Sequence, residues 1–111
     1  MWHVTLTVEG APVSASEIRE ALERLSDEHP FLLAGRYAPT RAEVRYWDEA
    51  LDASTALSLA AGLWGEHRVS AGLPDWQVVG VEVIDQGNFH RRGRTAHGQL
   101  GLVAAGRILP F

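Results

Sequence analysis

The run WHVTLTVE, residues 2–9, alternates without a fault. Trp2, Val4, Leu6 and Val8 fall on one side; His3, Thr5, Thr7 and Glu9 fall on the other. A period of two with β-branched residues predicts a strand that buries one face and leaves the other polar. Such a strand cannot stand alone, so the rest of the chain has to supply a cover for its apolar side. GAP, at 10–12, breaks the alternation.

The cover follows at once. SASEIREALERLSDEHP, residues 14–30, carries apolar residues at helical spacing. Ile18, Leu22 and Leu25 form the stripe, with Ala15 and Ala21 beside it. Ser14 and Glu17 have the spacing of a capping box, in which side chains satisfy the free N–H groups of the first turn. Pro30 ends the helix. His29, just before it, reads as structural, its cation favoured by the helix dipole.

FLLAGRYAPTRAEVRYWDEA, residues 31–50, predicts a hairpin turning at APTR, where the fixed φ of proline helps the turn. In its second arm Val44 and Tyr46 share one side, and Glu43, Arg45, Trp47 and Glu49 share the other. A second helix is predicted over 51–74, N-capped by Asp52 and stopped by Gly72 and Pro74. Leu57, Ala60, Ala61, Leu63 and Trp64 make its apolar face. Gly62 and Gly65 lie inside it, each about 1 kcal/mol less favourable than alanine, so close packing against a neighbour is expected there. His67 borders the apolar face and reads as a buried, hydrogen-bonded histidine. WQVVGVEVID, residues 76–85, predicts a last strand. Its valines suggest burial on both faces, with Val79, Val81 and Val83 towards the helices and Val78 and Glu82 away from them.

The order is strand–helix–strand, twice. In that order, over residues 2–85, the chain resembles the ferredoxin-like plait. The resemblance implies an α+β two-layer sandwich, βαββαβ, with an antiparallel sheet in the order 4-1-3-2 and both helices on one face. Residues 1–85 would form that domain, and residues 86–111 a basic and apolar C-terminal arm, docked or flexible. The fold implies no function by itself, since it hosts many.

Composition narrows the classes. The chain has 111 residues and fits one domain. It has no cysteine, which excludes disulfides, a thiolate nucleophile and cysteine-ligated zinc. No stretch approaches the roughly 18 apolar residues of a membrane span, and MWHVTLTVEG has no basic start followed by an apolar core as in a signal peptide. A cytoplasmic location without membrane contact is therefore expected. Histidines show no H-x-H, H-x₃-H or H-E-x-x-H spacing, and neither a phosphate loop nor a G-x-S-x-G elbow occurs. No metal and no cofactor is expected.

Charge is divided along the chain. Residues 1–85 hold all 14 acids against six arginines, and residues 86–111 hold four arginines and no acid. Arg91, Arg92 and Arg94 would make only about three salt-sensitive phosphate contacts. The RNA-recognition motif shares the predicted strand order but presents paired aromatics on its third strand, where this chain has Trp47 amid acids. Nucleic acid is not the expected partner, and weak accessory binding through the tail arginines ranks third among the readings. The apolar end, with Leu109 and Phe111, is expected to pack on a body, its own or a second copy's.

The sheet face away from the helices would carry His3, Thr5, Thr7, Arg36, Arg45, Trp47 and Glu82. The first expectation is a non-catalytic binding or assembly module, dimerising through this face or through the arm. The alternative is a small cofactor-independent enzyme, of the oxygenase or isomerase type that the plait also hosts. In that reading His3 and Glu82 would move a proton beside the Trp47 ring, with a small molecule as ligand.

Overall fold

A computed structural model describes residues 1–29, 32–88 and 107–111. Its elements are β1 (Trp2–Glu9), α1 (Ala15–Glu28), β2 (Leu32–Ala38), β3 (Arg41–Asp48), α2 (Ala53–His67), β4 (Gln77–Asp85) and β5 (Arg107–Pro110). Residues 86–88 begin a further helical turn. The fold is α+β, with one five-stranded sheet in the order β4-β1-β3-β2-β5. β1 lies antiparallel to β3 and β4, β2 antiparallel to β3, and β5 parallel to β2. No helix among the described residues is long and apolar enough to cross a membrane.

The alternation of β1 decides which side is covered. Val4, Leu6 and Val8 are fully buried, and they share one core cluster with Ile18, Leu22 and Leu25 of α1 and Ala60, Leu63 and Trp64 of α2. Both helices therefore cover the same face of the sheet. Ser14 caps α1 by accepting from the Glu17 N–H at 3.2 Å, and Asp52 caps α2 by accepting from the Thr55 N–H at 2.8 Å. The Trp64 and Trp76 rings stack, 6.3 Å apart and 4° from parallel. Each donates its indole N–H to a loop carbonyl, Trp64 to Pro74 and Trp76 to Ala11.

Three expectations are corrected here. A bulge between Thr7 and Val8 shifts the register against β4, so that Val8 faces Val78. Val78 joins the core, and Val79 turns outward, 55% exposed. β4 is also an edge strand, which is why its valines are only partly covered. On α2, Leu57 and Ala61 lie outside the core, because the helix needs only the stripe Ala56, Ala60, Leu63 and Trp64 to close the sheet. Finally, Gly62 and Gly65 do not meet a close neighbour: a Cβ at either would stand in open space.

The C-terminal segment enters the same sheet. Ala34, Gly35, Arg36 and Tyr37 of β2 pair with Arg107, Ile108, Leu109 and Pro110, and the Phe111 N–H donates to the Tyr37 carbonyl at 2.9 Å. Ile108 packs on the core over Gly35, where an added Cβ would come within 2.9 Å of Ile108 Cδ1. Leu109 and Phe111 stay exposed, with the Arg41 guanidinium 5.5 Å from the Phe111 ring centre. Arg91, Arg92 and Arg94 lie outside the described residues.

Candidate binding pocket at the helix ends

The face of the sheet away from the helices follows from the register. His3 faces Trp47 on one side and Ile84 on the other; Thr5 faces Arg45 and Glu82; Thr7 faces Glu43 and Gly80. Arg36 faces Glu43 from β2. All seven residues named from the sequence lie on this face, but His3 and Glu82 are not cross-strand neighbours: Glu82 sits one pleat further on, beside Thr5. His3 meets the Trp47 ring edge-on at 5.4 Å. It is only 4% exposed, and burial, helped by the Arg45 charge, lowers its pKa to about 4. The imidazole is therefore neutral at physiological pH, without the imidazolium form that would act as an acid. Arg45 itself reaches along its own strand to Glu43, at 3.2 Å.

A pocket opens at the end of the sheet, where β3 finishes and the two helices end. It has a volume of about 360 Å³ and is lined by His29, Tyr46, Trp47, Asp48, Glu49, Leu59, Leu63, Glu66 and His67. That size lies within the range of small-ligand sites. The residues arrive from three places. His29 is the C-cap of α1, its N–H held by the Leu25 carbonyl. His67 is the last residue of α2. Tyr46, Trp47 and Asp48 end β3, held in register by pairing with Val4, His3 and Trp2. Asp48 also accepts from the Ala50 N–H, and Ala50 in turn accepts from the Trp2 indole, both at 3.0 Å. The strand end that carries the pocket wall is thus fastened twice.

The two histidines meet across it. Their ring centres are 6.4 Å apart, and the His29 ring stands edge-on to Tyr46 at 4.7 Å. Burial, then the neighbouring His67, holds the His29 pKa below its ordinary value, against the opposing pull of Asp48 and Glu66. His29 Nδ1 is buried and makes no hydrogen bond to a described group. Burial, with Asp48 nearby, raises the Tyr46 phenol well above its usual range, so it keeps its proton. Behind His67, Glu28 accepts from His67 Nδ1 and from Ser70 Oγ, each at 2.7 Å. Chemically the pocket offers the His29 and His67 imidazoles, a protonated phenol, two leucines and a rim of carboxylates. No three His, Asp or Glu side chains among the described residues are placed to hold a metal ion.

Of the candidate site residues named from the sequence, only Trp47 lines this pocket. His29 and His67 were each read alone, as local structural histidines. Nothing in one sequence couples residues 38 positions apart; only the packing of the two helix ends brings them together.

Fold and pocket define an α+β domain with an acid-rimmed cavity at one end of its sheet. A family model described as Domain of unknown function (DUF8830) matches residues 1–100, and the chain belongs to that family. No curated protein and no solved structure matches the chain.

Proposed function

We propose that this is a non-catalytic small-molecule-binding domain on a ferredoxin-like plait, with the pocket between His29, Tyr46 and His67 as its site. One observation carries the reading: two imidazoles from different helices converge with a buried phenol on an open cavity of about 360 Å³. Structural histidines have no need of a cavity, and a cavity of this size with a few convergent polar groups suits a small ligand. The order β1-α1-β2-β3-α2-β4 with β4-β1-β3-β2 in the sheet supports the plait, with β5 as an addition to its edge.

The test is a fragment screen read by amide and indole NMR shifts. Fragments are expected to move the signals of Trp47, Glu49 and Glu66 together. Leu59→Trp, at a partly exposed lining position, is expected to fill the cavity and abolish those shifts while the fold persists. A screen in which no fragment moves these signals, or in which the shifts survive Leu59→Trp, removes the proposal.

Self-association is a second reading. Leu109 stands exposed on the outer strand β5 and Phe111 just beyond it, an apolar edge that a second copy would cover. Light scattering decides it. A monomeric mass at tens of micromolar protein would refute it; a dimer that dissociates on Leu109→Glu with Phe111→Glu would support it.

A further inference from the structure

The rim of the pocket says more about its occupant than its volume does. Three of the nine lining residues are carboxylates: Asp48, Glu49 and Glu66. None is an arginine, and the chain contains no lysine. The histidines do not offset this charge. His29 is pushed towards its neutral form by burial and by His67. His67, for its part, is bonded to a further carboxylate, Glu28, behind the pocket. The cavity therefore presents net negative charge to whatever enters.

The rest of the wall has a shape as well as a sign. Tyr46, beside His29, supplies an aromatic side chain, Trp47 adds to the wall from the strand end, and Leu59 and Leu63 supply an apolar surface. Aromatic faces attract cations through the ring quadrupole. Carboxylates beside aromatic rings form a recurrent way of holding an ammonium group, while the leucines favour an apolar body attached to it. An anion would meet the same three carboxylates and be repelled.

We infer that the ligand of this pocket is a small organic amine, bound as its ammonium, with an apolar or aromatic body lying against Tyr46, Leu59 and Leu63. This rests on the pocket being a ligand site and adds the charge of the ligand. Asp48 has one oxygen on the Ala50 N–H, leaving the other for the ammonium. Glu66, exposed on the last turn of α2, closes on it from the opposite side.

Three probes of one size separate the readings: benzylammonium, benzyl alcohol and benzoate, each titrated into the full chain and followed by the Trp47 indole and Glu66 amide NMR signals. Benzylammonium is expected to bind about tenfold more tightly than benzyl alcohol, and benzoate to bind least. Raising salt from low to about 0.5 M is expected to weaken benzylammonium and leave benzyl alcohol unchanged. Glu66→Gln and Asp48→Asn, which keep size and the Ala50 contact, are expected to remove most of the preference for the cation. If benzyl alcohol or benzoate binds as well as benzylammonium, with the same signals moving, the pocket stands and the amine is wrong. If none of the three moves these signals at millimolar concentration, the amine and the pocket both fall.

Discussion

His67 Nδ1 stands 2.7 Å from Glu28 Oε1, and the same oxygen accepts from Ser70 Oγ at 2.7 Å. Those two hydrogen bonds, Ser70 first and His67 second, lower the Glu28 pKa. An ionised carboxylate only accepts, so Nδ1 must donate, and a neutral His67 then keeps its lone pair on Nε2. The last turn of α2 is thereby tied to the last turn of α1, and the tautomer of a pocket residue is set from outside the pocket.

That tie has a pH signature. The folded Glu28 pKa lies below the unfolded value of 4.5, so its contribution to stability is present above about pH 4.5 and is lost as pH falls through the folded value. Glu28→Gln should reduce the urea midpoint modestly at pH 7, as expected for a solvent-reached pair. The gap to the unaltered protein should close on acidification below pH 4.5. A gap of constant size from pH 7 to pH 3 would show that the carboxylate charge plays no part.

Much of the fold was legible because it rests on local period. The alternation in β1, the stripe Ile18-Leu22-Leu25 and the caps Ser14 and Asp52 each lie within a few residues of one another. What was not legible depends on partners. The Val78/Val79 exchange is a matter of register against Thr7 and Val8, and no feature of VVGV announces which valine the bulge expels. The pairing of β5 is four residues long, too short for a period to show. The pocket requires the Glu28–His29 corner and His67 to meet, and each of those residues is well explained locally without the other. Trp47 was legible as a site residue for its place on the sheet, yet its position at the strand end also brings it to the pocket.

The glycines divide by what surrounds them. Gly62→Ala should raise stability by up to about 1 kcal/mol, a few degrees in Tm for a domain of this size, because nothing lies within 4 Å of the new methyl group. Gly10→Ala should lower Tm instead, since its Cβ would overlap the Trp76 ring. Gly72→Ala should do the same, because Gly72 has φ of 66°, a left-handed conformation that costs a side chain about 1–2 kcal/mol. Thermal melts of the three variants check the signs; a destabilised Gly62→Ala would mean that α2 packs against something at that face.

The docking of β5 predicts where the C-terminus is vulnerable. Ile108 packs on the core, so Ile108→Asp should release the strand. Hydrogen exchange at the Phe111 amide, which is bonded to Tyr37, should accelerate at least tenfold. Carboxypeptidase should then trim the end back past Ile108, while the β1–β3 amides keep their protection. Unchanged exchange at Phe111 would show that the backbone pairing with β2 holds without Ile108.

His3 makes the last prediction, through its imidazole buried in the sheet face. Its pKa is lowered from 6.5 to about 4, chiefly by burial and then by Arg45. The unfolded chain takes up this proton below pH 6.5, whereas the folded chain refuses it until about pH 4, so protons favour the unfolded state in between. Stability should therefore fall progressively as pH drops from 6.5 to about 4, and this contribution should level off below that. His29, also lowered, acts in the same direction and will leave part of the slope when His3 is replaced. Urea midpoints of the unaltered protein and of His3→Gln, measured at half-unit steps from pH 7 to pH 4, separate the two. His3→Gln removes a ring that packs on Trp47, so its midpoint at pH 7 should be lower. The discriminating quantity is the slope, which should flatten in the variant even though its baseline has moved. An equally steep fall in both proteins would show that His3 is not the group behind the slope.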